Sequence, residues 1–373
     1  MTKSLYFIAG EASGDTHGAA LMAALRQLDP DVQLHGRGGP RMREIAGSAF
    51  IDWSDHSAVL GLWEVLKQYG YFRREFAATI AQIRTTTPDA VVLIDYPGFN
   101  LRLARALRSQ FPQLKIIYYI SPQVWAWNRR RIPQMARYLD LMLCIFPFEA
   151  ELYNQSGLRS VFVGHPMMEH LEARRITTAR DPNLVALLPG SRAREIRKIL
   201  PPMLAAAEQI RAGQPGTRFE IAAASPARGE QITRVLRSSC LPAESVQITV
   251  EDSAGAMQRA AAGMVASGTA TLEAAYFRLP FVLVYRVAWM TYIAAKLVVK
   301  VPHIGMPNVL AGREIVPEFI QHQAQPQPIA RAVLRLLREP AAREQLVREF
   351  NEIISMLGAG GASTAAARAI LNG

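Results

Sequence analysis

The sequence predicts two doubly wound α/β domains facing a cleft, and three observations carry that reading. Short β-branched or leucine-rich runs alternate with helical patterns along the chain. The series breaks at Gly164-His165-Pro166 and restarts after a charged stretch through Arg174, Arg175 and Arg180 to Asp181-Pro182. At 373 residues the chain is long enough for two cores.

In the first series strands are expected at Leu5–Ala9, Val32–His35, Ala90–Asp95, Lys115–Ile120, Leu141–Phe146 and Val161–Val163. Helical patterns such as Leu101–Ser109 and Arg129–Tyr138 lie between them. The second series reads Leu184–Leu188, Phe219–Ala223, Val246–Val250, Gly263–Ala266 and Phe281–Tyr285. Such alternation builds right-handed βαβ units and a parallel sheet covered on both faces. The expected domains are 1–165 and 166–340, with C-terminal helices over 341–373 that can pack back on the first domain. Ligands in such sheets sit beyond the carboxyl ends of the strands.

Composition narrows the chemistry. Half of the residues are apolar and a fifth charged, an ordinary globular balance. No apolar run is long enough to span a bilayer. The apolar stretch at the N-terminus meets Glu11 and Asp15 and reads as a strand, not a secretion signal. Two isolated cysteines, Cys144 and Cys240, give no disulfide framework, and the seven histidines show no metal-ligand spacing. A reducing compartment and no metal or other cofactor are expected. The net charge of +11 suits an anionic membrane leaflet or phosphorylated small molecules. No nucleic acid is expected, because recognition motifs for it are absent.

Four stretches can carry chemistry. Gly10-Glu11-Ala12-Ser13-Gly14-Asp15 ends the first strand. It is either a tight turn capped by Ser13 or Asp15, or a backbone cradle for an anionic or polyhydroxyl ligand. Asp95 ends the apolar run VVLID, where partial desolvation raises carboxylate basicity; the alternative is a turn cap before Pro97 and Gly98. Gly190, Ser191 and Arg192 follow the first strand of the second series, and a forked arginine donor there suits a diphosphate. Glu195 can instead tie Arg192 into a surface pair. Ser267, Gly268 and Thr269 open a helix attractive to phosphate, with Glu273 one turn on, placed for a ribose diol or for the positive helix end.

Two further stretches have the pattern of lipid contact. Leu62, Leu66, Tyr69, Phe72 and Phe76 recur at helical spacing, with Val59, Leu60 and Trp63 adjacent and Arg73-Arg74 close by. Trp289, Ile293 and Leu297 lie in an almost wholly apolar run with Lys296 and Lys300 one turn apart. Aromatic residues with snorkelling cations suit the headgroup boundary, although burial against a sheet gives the same stripe. Trp125 and Trp127 in SPQVWAWNRRR can stack on a sugar or enter the core. The arginines after them suit a phosphate, or form a solvated face.

Ten ordered motifs resemble the lipid-A-disaccharide synthase family. They are GEASGD (Gly10–Asp15), GGPRM (Gly38–Met42), IDYPGFN (Ile94–Asn100), SPQVWAW (Ser121–Trp127), FPFE (Phe146–Glu149), VGHP (Val163–Pro166), LLPGSR (Leu187–Arg192), SGTATLE (Ser267–Glu273), Pro307-Asn308 and VPEFIQ (Val316–Gln321). Gly98-Phe99 and Met306 depart from the family's usual Asp-Phe pair and leucine, which bears on acceptor fit.

The resemblance implies a GT-B fold of two Rossmann-like domains, the C-terminal one holding the nucleotide. It implies metal-free, inverting transfer from UDP-2,3-diacylglucosamine to the 6-hydroxyl of 2,3-diacylglucosamine 1-phosphate. The setting it implies is peripheral, on the cytoplasmic face of the inner membrane of Gram-negative bacteria. A homodimer is compatible with this reading. By motif position, Ser13, Asp95, Arg192, Asn308 and Gln321 fall where the family's functional polar residues would lie. Asp95 is expected as general base, with Arg192 and Ser267–Thr269 stabilising departing UDP. Glu273 would hold the ribose and Asn308 and Gln321 would orient the donor, while Ser13 and Gly14 line the acceptor pocket. The alternatives are a UDP-N-acetylglucosamine 2-epimerase, another GT-B transferase with a soluble acceptor, or a non-catalytic nucleotide-sugar or lipid binder.

Overall fold

The structure, a computed structural model, describes residues 2–53, 69–289, 292 and 301–372. They form two compact units, Met1–Met168 with Leu357–Gly373, and Glu169–Met356. Each is a parallel α/β sheet.

The first unit carries a seven-stranded sheet in the order β3-β2-β1-β4-β5-β6-β7. Its strands are β1 (Ser4–Ala9), β2 (Gln33–Gly38), β3 (Ile51–Asp52), β4 (Ala90–Ile94), β5 (Lys115–Tyr119), β6 (Leu141–Cys144) and β7 (Ser160–Phe162). The apolar runs are continuous because both faces are covered. Leu5, Phe7 and Ala9 of β1 join one core with Val92, Ile94, Ile117 and Tyr119. Tyr6 and Ile8 join the opposite core with Val91, Leu93, Ile116 and Tyr118. The period-2 side-chain alternation of a strand thus feeds two cores at once. The helix Ala362–Asn372 packs on Ala12–Leu28 in the first core, through Ala366, Ala367 and Ile370.

Three expected strands stop short, each for a local reason. Asp95 and Ile120 take left-handed backbone, with φ of 45° and 64°, so β4 ends at Ile94 and β5 at Tyr119. β6 ends at Cys144 because the chain turns into a helix that Pro147 starts. The stretch Arg129–Tyr138, expected as one helix, is a 3₁₀ turn at Arg129–Arg131 followed by the short helix Ile132–Met135.

The second unit carries a six-stranded sheet in the order β10-β9-β8-β11-β12-β13. These strands are β8 (Asp181–Leu188), β9 (Arg218–Ala223), β10 (Val246–Val250), β11 (Ala260–Ala266), β12 (Phe281–Tyr285) and β13 (Glu318–Ile320). In each sheet the strand order reverses once, between β1 and β4 in the first and between β8 and β11 in the second. A crevice opens at such a switch point, beyond the carboxyl ends of the strands. Among the described residues, no helix is long and apolar enough to cross a membrane.

Candidate functional site

The switch point of the first unit is built around Asp95. Asp95 and Tyr96 both adopt positive φ, 45° and 51°. Two consecutive left-handed, non-glycine residues cost on the order of 1–3 kcal/mol each and persist only when their surroundings fix them. Here the fixing groups are explicit. The Asp95 N–H donates to Tyr119 O at 3.0 Å. The Asp95 carbonyl accepts from the Tyr118 hydroxyl at 2.6 Å and from Asn100 Nδ2 at 2.8 Å. The turn is thereby held while the carboxylate is left for other work.

That carboxyl is partly buried, and burial raises its pKa. The negative charge of Glu11, at the end of neighbouring β1, raises it further, and the Tyr96 N–H opposes both. A carboxylate made more basic this way suits proton abstraction. The Tyr96 ring closes over Gly10, where a Cβ would lie 2.3 Å from Tyr96 Cδ1. GEASGD and IDYPGFN therefore interlock, and only glycine fits the contact.

Around Asp95 the remaining predicted residues divide. Ser13 is exposed on the first turn of the helix Ala12–Leu28. Gly14 is buried, with its Cβ position 3.3 Å from Ala9 Cβ, so it brings helix and strand together. Asp15 caps nothing on its own helix. Its carboxylate accepts from the N–H groups of Gly39 (3.0 Å), Arg41 (3.1 Å) and Met42 (3.0 Å), capping the helix Pro40–Ala46 instead.

Two groups that had no expected role stand out. Asn100, which locks Asp95, sits inside the IDYPGFN motif and has no signal beyond that. Glu149 is fully buried and accepts from Trp125 Nε1 at 2.9 Å and from Phe146 N at 3.3 Å. Burial pushes its pKa up to about 7 against the hydrogen bonds from Trp125 and the backbone. It ties SPQVWAW to FPFE at the carboxyl ends of β5 and β6. Trp125 is thus a core residue, while Trp127 stays exposed with Arg131 over its ring.

In the second unit the predicted residues line the carboxyl edge of the sheet. β8 and β11 are neighbours, with Leu188 paired to Val265, so Gly190–Arg192 and Ser267–Thr269 flank the switch point. Gly190 has φ 103°, and a Cβ there would meet Glu195 Oε2 at 2.5 Å. Glu195 accepts from the N–H groups of Ser191 and Arg192, both at 3.1 Å, and its other oxygen meets Arg192 Nη1 at 3.3 Å. The backbone of this turn is taken up by the carboxylate. The Arg192 side chain, 70% exposed, remains its outward-facing cation.

Ser267 Oγ donates to Ile304 O at 3.2 Å, and Gly268 has φ 146°. Among the described residues, no acceptor engages the N–H of Gly268 or Thr269. Burial raises the Glu273 carboxyl, offset by Arg174 and then His170 nearby. Asn308 is fully buried and saturated. Its Oδ1 accepts from the N–H groups of Ile315 and Val316, both at 2.9 Å, and its Nδ2 donates to Val316 O at 2.8 Å and Glu318 Oε1 at 2.9 Å. Gln321, at φ 51°, bonds both backbone groups of Val287. Both amides are engaged in holding loops.

Gln321 and Trp289 meet in one groove of about 610 Å³, lined also by Arg197, Lys198, Arg286 and His322. Trp289 is 61% exposed and stacks on Tyr292. Arg192 is not among the walls of that groove. The other expected lipid contacts, Val59, Leu60, Leu62, Trp63, Leu66, Ile293 and Leu297, lie outside the described residues. Of the aromatic residues continuing the first stripe, Phe72 and Phe76 pack against the core, Phe76 with its ring 5.6 Å from Phe99.

Comparison with known proteins agrees with this architecture. Solved structures share the fold at low identity. A UDP-N-acetylglucosamine 2-epimerase from Neisseria meningitidis superposes with a TM-score of 0.62 and 14% identity, over the full length of both chains. MurG from Acinetobacter baumannii gives 0.57 and 16%, again over both full lengths. These likenesses establish two-domain α/β architecture of the GT-B kind and nothing of the reaction. The sequence is more specific. Proteins named lipid-A-disaccharide synthase from Geobacter sulfurreducens and Myxococcus xanthus are 39% and 37% identical, each over 98% of this chain and 96% of the relative. A family model described as lipid-A-disaccharide synthetase matches residues 5–366. Asp95, Arg192 and the interlocked turns all fall within the matched span, and the chain belongs to the lipid-A-disaccharide synthase family.

Proposed function

We propose that the chain moves a 2,3-diacylglucosaminyl unit from UDP to the 6-hydroxyl of 2,3-diacylglucosamine 1-phosphate, inverting the anomeric carbon. Family membership makes it a glycosyltransferase of lipid A biosynthesis. The acyl groups, the stereochemical course and the residue roles are the proposal. The observation that carries it is Asp95: a carboxyl made more basic by burial and by Glu11, on a backbone locked by Tyr118, Asn100 and Tyr119.

The acceptor O6 attacks the anomeric carbon while Asp95 takes its proton, and the bond to the diphosphate oxygen breaks with its electron pair leaving on UDP. Arg192 and the N–H groups of Gly268 and Thr269 stabilise the charge that grows on that oxygen. Glu273 holds the ribose. Asn308 and Gln321 act through the loops they hold, since their amides already bond backbone. Ser13, exposed beside Gly14, lines the acceptor side. Both substrates are lipid-borne, so the reaction is set at an anionic membrane surface, on its cytoplasmic face, with the protein attached peripherally.

Full-length protein incubated with UDP-2,3-diacylglucosamine and the monosaccharide 1-phosphate should give the acylated disaccharide 1-phosphate and one UDP per product, read by mass spectrometry. Epimerised donor, or a soluble acceptor used as well as the acylated one, would overturn the proposal.

A further inference from the structure

A cationic surface in the first unit begins at Pro97 and Gly98, just after the Asp95 turn, and runs outward along the helix. A groove of about 600 Å³ separates the helix Pro97–Gln110 from the stretch Arg131–Tyr138. Arg102, Arg105 and Arg108 line one wall, at the three-residue spacing that keeps side chains on one helix face. Arg131 and Arg137 line the other, and no carboxylate is among the lining residues.

Arg108 is spoken for. It pairs with Asp140 and donates to Pro112 O at 2.6 Å and Leu114 O at 3.2 Å, which closes one end of the groove. Arg102, Arg105 and Arg137 keep part of their surface in solvent, and among the described residues no carboxylate lies within ion-pair distance of them. The Tyr138 hydroxyl, raised by burial, is drawn back down by the charges of Arg131 and Arg105, one from each wall. At the rim, Arg131 lies 5.1 Å over the ring of exposed Trp127.

Uncompensated guanidiniums around one groove repel each other, and a ligand with several anionic oxygens relieves that repulsion. Phosphate fits best, because the guanidinium fork matches its oxygens. An exposed tryptophan beside arginine favours the headgroup layer over bulk water. Arg102 and Arg105 lie four and seven residues along the helix from Gly98, about 6 and 10 Å at 1.5 Å per residue, so the charge extends outward from the Asp95 turn.

We propose that the Arg102–Arg105–Arg137 groove binds the phosphate headgroup of an anionic membrane phospholipid. The choice of lipid over soluble phosphate rests on the proposed use of lipid-borne substrates. Binding is measured on vesicles carrying no substrate, so its failure is distinguishable from failure of the transfer reaction.

Wild-type protein and Arg102→Ala/Arg105→Ala/Arg137→Ala are floated with phosphatidylcholine vesicles containing or lacking phosphatidylglycerol, at low and high salt. Wild type should bind the anionic vesicles selectively and lose them as salt rises. The alanine triple should bind roughly fivefold less tightly per arginine removed, on the order of a hundredfold in all. A lysine triple at the same positions, which keeps the charge, should stay within about tenfold of wild type. Equal binding by wild type and the alanine triple would overturn the proposal, as would a lysine triple as weak as the alanine one. Inorganic phosphate or an RNA oligomer displacing the protein from anionic vesicles at matched ionic strength would reassign the groove to a soluble ligand and overturn it too.

Discussion

The side-chain amide of Asn100 donates to the carbonyl oxygen of Asp95 at 2.8 Å and to that of Ile94 at 3.2 Å. One buried amide thus grips the last strand residue and the first residue of the turn, on the two sides of the peptide that points the Asp95 carboxylate. Asn100→Ala removes this donor from both carbonyls; the Asp95 oxygen keeps the Tyr118 hydroxyl, so the expected cost is about 1–3 kcal/mol in all. The expected result is a lower melting temperature together with a kcat reduced at least tenfold and an unchanged KM for the donor. A variant that is less stable but turns over normally would show that Asn100 serves folding alone.

Gly10 and Tyr96 should behave as a coupled pair. A Cβ at position 10 would lie 2.3 Å from the Tyr96 ring. Gly10→Ala is therefore expected to cost about 1–3 kcal/mol, the usual range for overpacking. In a Tyr96→Ala background the same change should cost far less. Denaturant melts of the four proteins give the coupling, and additive effects would mean that the ring does not enforce glycine.

Glu149 makes stability depend on pH in a stated direction. Its folded pKa is raised from 4.5 to about 7, so the unfolded chain loses this proton first as pH rises. The stability it contributes is intact below about pH 4.5 and drains away up to about pH 7. Glu149→Gln removes the titration. The difference between variant and wild type should move in favour of the variant across that window, by on the order of 3 kcal/mol at most. Chemical melts at pH 5 and pH 7.5 test it, and a constant difference would contradict the buried, raised carboxyl.

Arg192 presents its guanidinium outward from a turn whose backbone Glu195 already satisfies. Arg192→Ala should weaken UDP binding and slow transfer together, by about tenfold to a hundredfold, while the turn itself survives. Calorimetry with UDP beside steady-state kinetics reads both. Unchanged values for both would remove Arg192 from the site.

Much of the fold was legible in the chain because β1, β4, β5 and β11, and β8 over Val185–Leu188, are buried on both faces and read as apolar runs. β3, of two residues, and β13, Glu318–Ile320, are too short and mixed to carry a pattern. Asp95 could be singled out as a candidate because desolvating a carboxylate at the end of an apolar strand is costly, and its role as a base belongs to the proposed function. The role of Asp15 was not legible, since its three backbone partners lie 24 to 27 residues away and no local spacing encodes them. Asn308 poses a different difficulty. A polar residue beside proline in a loop has one appearance whether it faces a ligand or, as here, saturates itself on Val316, Ile315 and Glu318.

Catalysis as proposed rests on Asp95 as the proton acceptor, and single-turnover transfer by Asp95→Asn with saturating donor and acceptor tests that role most directly. The expected transfer rate is lower by about 10²–10⁴, the range for a positioned general base, with UDP binding and melting temperature close to wild type. The wild-type rate should also fall as pH drops through an apparent pKa above the ordinary carboxylate value, and this limb should vanish in the variant. A variant that transfers within about tenfold of wild type and keeps the acid limb would contradict it.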